Sequence, residues 1–401
     1  MDSANESTAA TDTGPGRLAR LEHPVQVGTA LDLPPETAAR IAAAVPANTR
    51  RNWASRWRAY ALWCLTTGRA PLPASGETLA AYLDARAKEL AVPEHLRGAV
   101  GRNSYAPLNP SSMAAHLGTL RAAHRIAGHE SPDPYLATMA IKARAAELAS
   151  DPDAEVGIRQ ATPVRGRDLA RMLDQIDTGT PAGLRDRALL LLLYKTGRRG
   201  KEIAGLNLAD VRDAPDPLDP HAPPIGLRVT FRTSKTNPHG LNREDETKVK
   251  RTGGDYCPYA AVRAWRLYLT GQGYKKGPLF PRLDRHGNLG PAAAGRGAPG
   301  DGRITPKTVR AIVHDRAEPA GLVPESGYRE SSDGLPVLVR ISAHSTRRGF
   351  VTDAFTRPDA DPEKIGRHAG FAPGSRTLYR YRDVELGWDD DPTDGLIAPP
   401  P

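Results

Sequence analysis

Two cysteines, Cys64 and Cys257, are all that 401 residues contain, and neither has a second thiol or a histidine at metal-ligand spacing. That excludes a disulfide framework and a zinc site, and it leaves both as small side chains suited to the interior. Long apolar runs are missing too, and none approaches the roughly 20 residues needed to span a bilayer. The opening stretch "MDSANESTAATDTGPGRLAR" lacks the basic start and apolar centre of a secretory signal. A cytoplasmic protein is the expectation. No internal repeat is evident.

What is present is positive charge. The formal net charge is +9 and the isoelectric point near 9.6, which points to an acidic polymer as partner, with DNA or RNA ahead of an anionic membrane surface. Arginine outnumbers lysine, and guanidinium suits bidentate phosphate binding. Hydrophobic residues make up 39%, enough for real cores in the two or three domains this length suggests.

Residues 1–35 are small, polar and broken by glycine and proline, the composition of a disordered arm. Residues 36–150 read as a helical domain of four or five helices. Trp53, Trp57 and Tyr60 recur at helical spacing, Ser75 is placed to cap a helix carrying Leu79, Tyr82 and Leu83, and "PSSMAAHLGTLRAAHRIAG" starts on serines and ends at Gly128. Mixed charge, prolines and a glycine over 151–164 mark a linker. A second domain over 165–385 opens with an apolar helix, a break at Thr196-Gly197 and a new helix near Gly200, with Arg198 and Arg199 in the turn. Leu227, Val229 and Phe231 alternate as a strand entering a hairpin, "PKTVRAIVHDRAEPAGL" is an amphipathic helix, and "NLGPAAAGRGAPGDGR" and "VPESGYRESSDGLP" read as surface loops. Residues 386–401 form a short tail, acidic at its centre, with Trp388 and Leu396 among its apolar residues.

Four places in the second domain carry candidate chemistry: Arg199 in the helix–helix turn, Lys235 at the strand–turn boundary, His344 with Arg347, and Tyr379 with Tyr381. His344 and Arg347 are three apart and share one helix face, so one anion could meet both. Taken singly, each is an ordinary solvated side chain. Their order carries more information.

With these boxes in view, the chain resembles the tyrosine recombinases, the phage-integrase-type site-specific recombinases. "TGRRGKEIAGLNLADV" is similar to that family's first arginine box, "RTSKTN" to its lysine hairpin, "AHSTRRGF" to its His-x-x-Arg box and "HAGFAPGSRTLYRYRD" to its terminal tyrosine box. "CPYAAVRAW", "GPLFPRLDRHG" and "ITPKTVRAIVHDRAEPAGL" fill the intervals as in the family. "NTRRNWASRWRAYALWCLTTGRAPLPAS" and "AAHRIAGHESP" look like its helical core-binding domain, so the resemblance covers roughly residues 45–390. It implies a mainly α fold with a small β-sheet in the second domain: a helical core-binding domain plus an α+β catalytic domain.

The resemblance implies strand cleavage and rejoining through a 3′-phosphotyrosyl intermediate and a Holliday junction. Its partner is double-stranded DNA, its assembly a homotetramer on paired sites, with accessory DNA-bending proteins as further partners. It implies no cofactor and no metal, and the boxes contain no acidic metal-binding cluster. Tyr381 is the favoured nucleophile, with Tyr379 as the other choice. Arg199 and Arg347 would clamp the non-bridging phosphate oxygens, His344 would assist proton transfer or hydrogen-bond the phosphate, and Lys235 would protonate the departing 5′ oxygen. Arg348 is expected to face structure or flanking backbone, and Glu202 and Asp210 to order their turns. Phe371 departs from the pattern, because the family places a donating histidine or tryptophan there and phenylalanine has no donor. Arg50, Arg51, Arg56 and Arg58 flank the aromatic stripe of the first helix as candidate DNA-backbone contacts. Two other readings stay open: a type IB topoisomerase-like enzyme, and a DNA-binding protein with a degraded site.

Overall fold

The computed structural model describes residues 44–94, 97, 105–151, 160–219, 221–234, 245–289, 300–330 and 336–382, with positions 34, 36, 37 and 40. The expected arm over 1–35, apart from position 34, and the tail over 386–401, with Trp388 and Leu396, lie outside the described residues, as do Lys235 and most of the expected linker. The chain divides into two compact units, Met1–Ile158 and Arg159–Pro401.

The first unit is helical: α1 (Ala47–Thr66), α2 (Gly76–Ala85), α3 (Pro110–Ile126) and α4 (Tyr135–Ser150). Its core forms where the aromatic stripe of α1 meets α2 and α3. Trp57, Tyr60 and Trp63 are buried, and Tyr60 packs edge-on against Tyr82 at 5.1 Å between ring centres. Ser75 caps α2 as its sequence suggests, accepting from Thr78 N at 3.3 Å. The start of α3 differs from expectation. Asn109, not a serine, is its cap, accepting from Ser112 N at 2.8 Å, because Pro110 occupies the first helical position and moves the serines inside.

The second unit is α+β. It runs α5 (Gly166–Asp174), α6 (Pro181–Thr196), α7 (Gly200–Ala204), a 3₁₀ turn at Leu208–Asp210, β1 (Val211–Ala214), β2 (Gly226–Thr230), β3 (Glu246–Lys250), α8 (Pro258–Gly271), α9 (Pro306–Ala317), β4 (Tyr328–Glu330), β5 (Pro336–Leu338), α10 (Ala343–Phe355), α11 (Pro362–His368) and α12 (Arg376–Arg382). The sheet β1–β2–β3 is antiparallel, with Val211 opposite Val229 and Leu227 opposite Val249. Those four side chains face the core and the residues between them face outward, which is the period-2 alternation read from the sequence. Leu189 to Leu193 are all fully buried, so α6 is wrapped on every side and forms the axis of the unit. The mainly α fold class with a small second-unit sheet therefore holds.

The stretch expected as a surface loop over 323–336 instead carries β4 and the first residue of β5, which pair as an exposed two-stranded sheet. Strands of three residues with outward side chains bury no alternating face, so no hydrophobic pattern announces them. Among the described residues no helix is long and apolar enough to cross a membrane.

Candidate active site

The site is built at the C-terminal end of α6 and the N-terminal ends of α7 and α10. Helix α6 stops because Gly197 adopts φ +60°, a left-handed conformation open to glycine. A Cβ there would also stand 2.5 Å from the Phe350 ring, so glycine lets α6 and α10 approach closely. The chain then turns through Arg198 and Arg199 into α7. Glu202 fixes this turn, accepting from Arg199 N at 3.1 Å and from Arg199 Nη1 at 3.0 Å. Asp210 does the same one turn later, accepting from Asn207 N at 2.9 Å and Arg232 Nε at 2.6 Å.

Helix α10 begins with a histidine and two arginines ahead of its apolar positions. Ser342 caps it, accepting from His344 N at 3.2 Å while its own N–H donates to Ser345 Oγ at 3.0 Å. With the start so fixed, His344 is exposed at the helix mouth, whereas Arg347 and Arg348 point inward. Arg348 donates to Ala161 O at 2.7 Å and is held by structure. Arg347 is fully buried. Its Nη1 donates to Gly197 O at 2.6 Å and to Ala369 O, which ties α10 to the α6 terminus and the α11 terminus. Its Nε and Nη2 are buried and have no hydrogen-bond partner among the described residues. Those two N–H groups form the side edge of the guanidinium, the fork that matches two oxygens of one phosphate.

Tyr381 on α12 packs with Val351, Ile365, Ala369 and Leu378, and its hydroxyl lies 2.6 Å from His344 Nε2. If the phenol donates, Nε2 must be the unprotonated ring nitrogen. Burial raises the Tyr381 pKa, opposed by the positive charges of Arg347, Arg348 and Arg199. Burial likewise pushes Arg347 down to about 9, with Arg199 adding repulsion while Glu202 and Tyr381 oppose it, so the guanidinium stays charged at neutral pH. Phe371 fills the space between them. Arg347 Cζ lies 3.7 Å from its ring centre, and Tyr381 meets it edge-to-face at 6.0 Å. Tyr379, two residues from Tyr381, is 40% exposed, against 6% for Tyr381.

The structure thus brings Arg199, His344, Arg347, Phe371 and Tyr381 together; Lys235 lies outside the described residues. His368 is bonded to Lys195 O at 2.7 Å and stacks on Phe350 at 5.3 Å, a packing role. In the first unit Arg50 and Arg51 are exposed, whereas Arg56 is half-buried and donates to Thr119 Oγ1 at 3.1 Å, and Arg58 is half-buried. Sequence reasoning passed over Asp353, which accepts from Arg165 Nε at 2.5 Å, from Gly166 N at 2.7 Å and from Tyr194 OH, anchoring α10 to α5 and α6. All three partners are distant in sequence, so no local signal marks it. Among the described residues no cluster of histidine, cysteine, aspartate and glutamate could hold a metal ion.

No family model matches the chain. A tyrosine recombinase XerD of Neisseria meningitidis serogroup A is 48% identical over 50 residues, which is 12% of this chain and 17% of that protein. A tyrosine recombinase XerD of Corynebacterium glutamicum is 30% identical over 201 residues, 47% of this chain and 53% of that protein. An integrase/recombinase xerD homolog of Selenomonas ruminantium is 24% identical over 344 residues, 85% of this chain and 82% of its own length. The first two matches span less than two thirds of the relatives' lengths, while the third runs nearly end to end. With four motif boxes in order and their side chains converging wherever they are described, the chain is similar to tyrosine recombinases over most of its length.

Proposed function

We propose that this protein is a site-specific DNA recombinase that cuts and rejoins strands through Tyr381. The observation that carries the reading is the unpaired Nε–Nη2 edge of buried Arg347, beside a tyrosine hydroxyl already paired with a histidine. A buried N–H without a partner costs roughly 1–3 kcal/mol, and a phosphate oxygen on each would remove that cost. Because both atoms are covered, a phosphate reaches them only when a covering side chain moves. DNA binding therefore assembles the clamp.

In this reading the Tyr381 proton passes to His344 Nε2 as the phenolic oxygen attacks the scissile phosphorus. Arg347 and Arg199 hold the non-bridging oxygens as charge builds on them. The P–O bond to the 5′ oxygen breaks, and that oxygen takes a proton from Lys235. The product is a 3′-phosphotyrosyl link and a free 5′ hydroxyl, and attack by another 5′ hydroxyl reverses the step. One phosphodiester replaces another, so no ATP is needed. Arg50 and Arg51 supply backbone contacts from the first unit, four protomers act on two sites through a Holliday junction, and the protein works where the chromosome is, in the cytoplasm.

A supercoiled plasmid carrying two copies of a DNA segment taken from beside the gene tests this against the topoisomerase reading. Recombined circles from that plasmid and no relaxation of a plasmid without the segment are expected. Relaxation of both plasmids without recombinants would replace the reading with a type IB topoisomerase.

A further inference from the structure

One buried guanidinium beside the site has no part in the phosphate chemistry. Arg198, next to Arg199, is 1% exposed. Its Nη2 donates to Asp245 Oδ1 at 2.5 Å and to Thr247 Oγ1 at 3.1 Å, and its Cζ lies 4.3 Å from the Phe231 ring centre. Phe231 and Asp245 are themselves joined, Phe231 N donating to Asp245 O at 2.8 Å. They lie one residue beyond the last rung of the β2–β3 ladder, Thr230 opposite Glu246, where the chain departs toward Lys235 and returns. On its opposite side Arg198 meets the tyrosine box. A Cβ on Gly370 would stand 2.2 Å from Arg198 Nη1, and Thr247 Oγ1, having accepted from Arg198, donates to His368 O at 3.0 Å.

Nothing in core packing calls for an arginine here. A buried cation with Nε and Nη1 unpartnered among the described residues is costly, and an apolar chain of similar volume would fill the space without that cost. What the guanidinium supplies is connection. One side chain touches both flanks of the lysine segment and the glycine before Phe371, while its backbone leads directly into Arg199.

We propose that Arg198 is a positioning residue for leaving-group protonation. It locks the flanks of the Lys235 segment to the arginine turn, so that the acid and the phosphate clamp are set in one frame. This rests on the recombinase reading above. Arg198→Met keeps most of the volume and removes the ion pair, and Asp245→Asn removes the anion alone.

The test compares single-turnover cleavage by the full-length chain on two nicked substrates of one sequence. In one the scissile 5′ bridging atom is oxygen. In the other it is sulfur, which leaves as a thiolate without help from an acid. A general acid contributes about 10²–10⁴-fold, and misplacing it loses part of that. Both variants should be slowed about tenfold or more on the oxygen substrate and less than about threefold on the sulfur substrate, the pattern of a lost acid. Adding Arg198→Met to Lys235→Ala should change the oxygen rate less than about threefold. Equal slowing on both substrates, or none on either, overturns the proposal.

Amide exchange in the free protein gives a readout independent of turnover. Faster exchange at 227–231 and 245–250 in Asp245→Asn, with α6 unchanged, is expected, and unchanged exchange in that ladder overturns the role. Wild-type protein that forms an adduct with neither substrate would reject the recombinase reading itself. That result is distinct from an active wild type with unaffected variants, which removes only the role of Arg198.

Discussion

Phe371 tests whether the aromatic ring beneath Arg347 belongs to the clamp. The ring supports a buried guanidinium at 3.7 Å and meets the Tyr381 ring at 6.0 Å. A desolvated cation–π contact is worth about 2 kcal/mol and an edge-to-face pair about 0.5–1.5 kcal/mol. If both act on the reacting geometry, Phe371→Ala forfeits about 2.5–3.5 kcal/mol, which at 1.36 kcal/mol per factor of ten slows cleavage by roughly 10²-fold. Phe371→Trp keeps a ring and adds an N–H donor. A donor to a charged acceptor is worth about 1.5–3 kcal/mol, so cleavage should accelerate roughly 10- to 100-fold. The assay is single-turnover formation of denaturation-resistant adduct on a nicked substrate, with DNA affinity measured in parallel. An Ala variant that cleaves at the wild-type rate would show that the ring is packing alone, and a Trp variant no faster than wild type would show that no donor is wanted there.

Other perturbations follow from the same structure. Arg347→Lys leaves one ammonium to serve Gly197 O, Ala369 O and the phosphate, so cleavage should fall about 10²–10³-fold in adduct assays while DNA affinity changes little. Gly349→Ala places a Cβ 1.7 Å from Val164 O, where backbone must move, and should destabilise the second unit by several kcal/mol (about 3 or more) in urea melts. His116 is bonded to Tyr82 OH at 2.9 Å, and burial, with the positive charges of Arg86 and Arg56, lowers its pKa from 6.5 to about 3. The unfolded chain therefore binds the extra proton between those values, and the stability His116 confers is full above pH 6.5 and lost as pH falls toward about 3. The loss is about 5 kcal/mol at most, read as tryptophan fluorescence of the first unit in urea titrations. His116→Gln should flatten that pH dependence.

What could be read from the chain was local. The leucines of α6 with the glycine stop before Arg199, the alternation of Leu227, Val229 and Phe231, and the Ser75 cap each lie within a few residues of the signal that announces them. Arg199, His344, Arg347 and Tyr381 were legible because the motif boxes keep their order, and the fold supplies the proximity. Arg198 and Asp353 were not legible as fixed points, because their partners lie far along the chain: Asp245 and Thr247 for one, Arg165 and Tyr194 for the other. Arg56 looked like a free helix-face cation until α3 brought Thr119 against it. Nor could composition show that Arg347 spends one nitrogen on two carbonyls and leaves its fork unpaired, since that division depends on where two helix ends meet.

Peptide mapping of a trapped intermediate addresses the central claim most directly. The full-length protein is incubated with nicked duplexes cut from DNA beside its gene, denatured, digested and analysed by mass for a nucleotide-bearing peptide. The account predicts an adduct on Tyr381, abolished by Tyr381→Phe and retained in Tyr379→Phe. An adduct on Tyr379, or tight site-specific binding with no adduct at all, would contradict it.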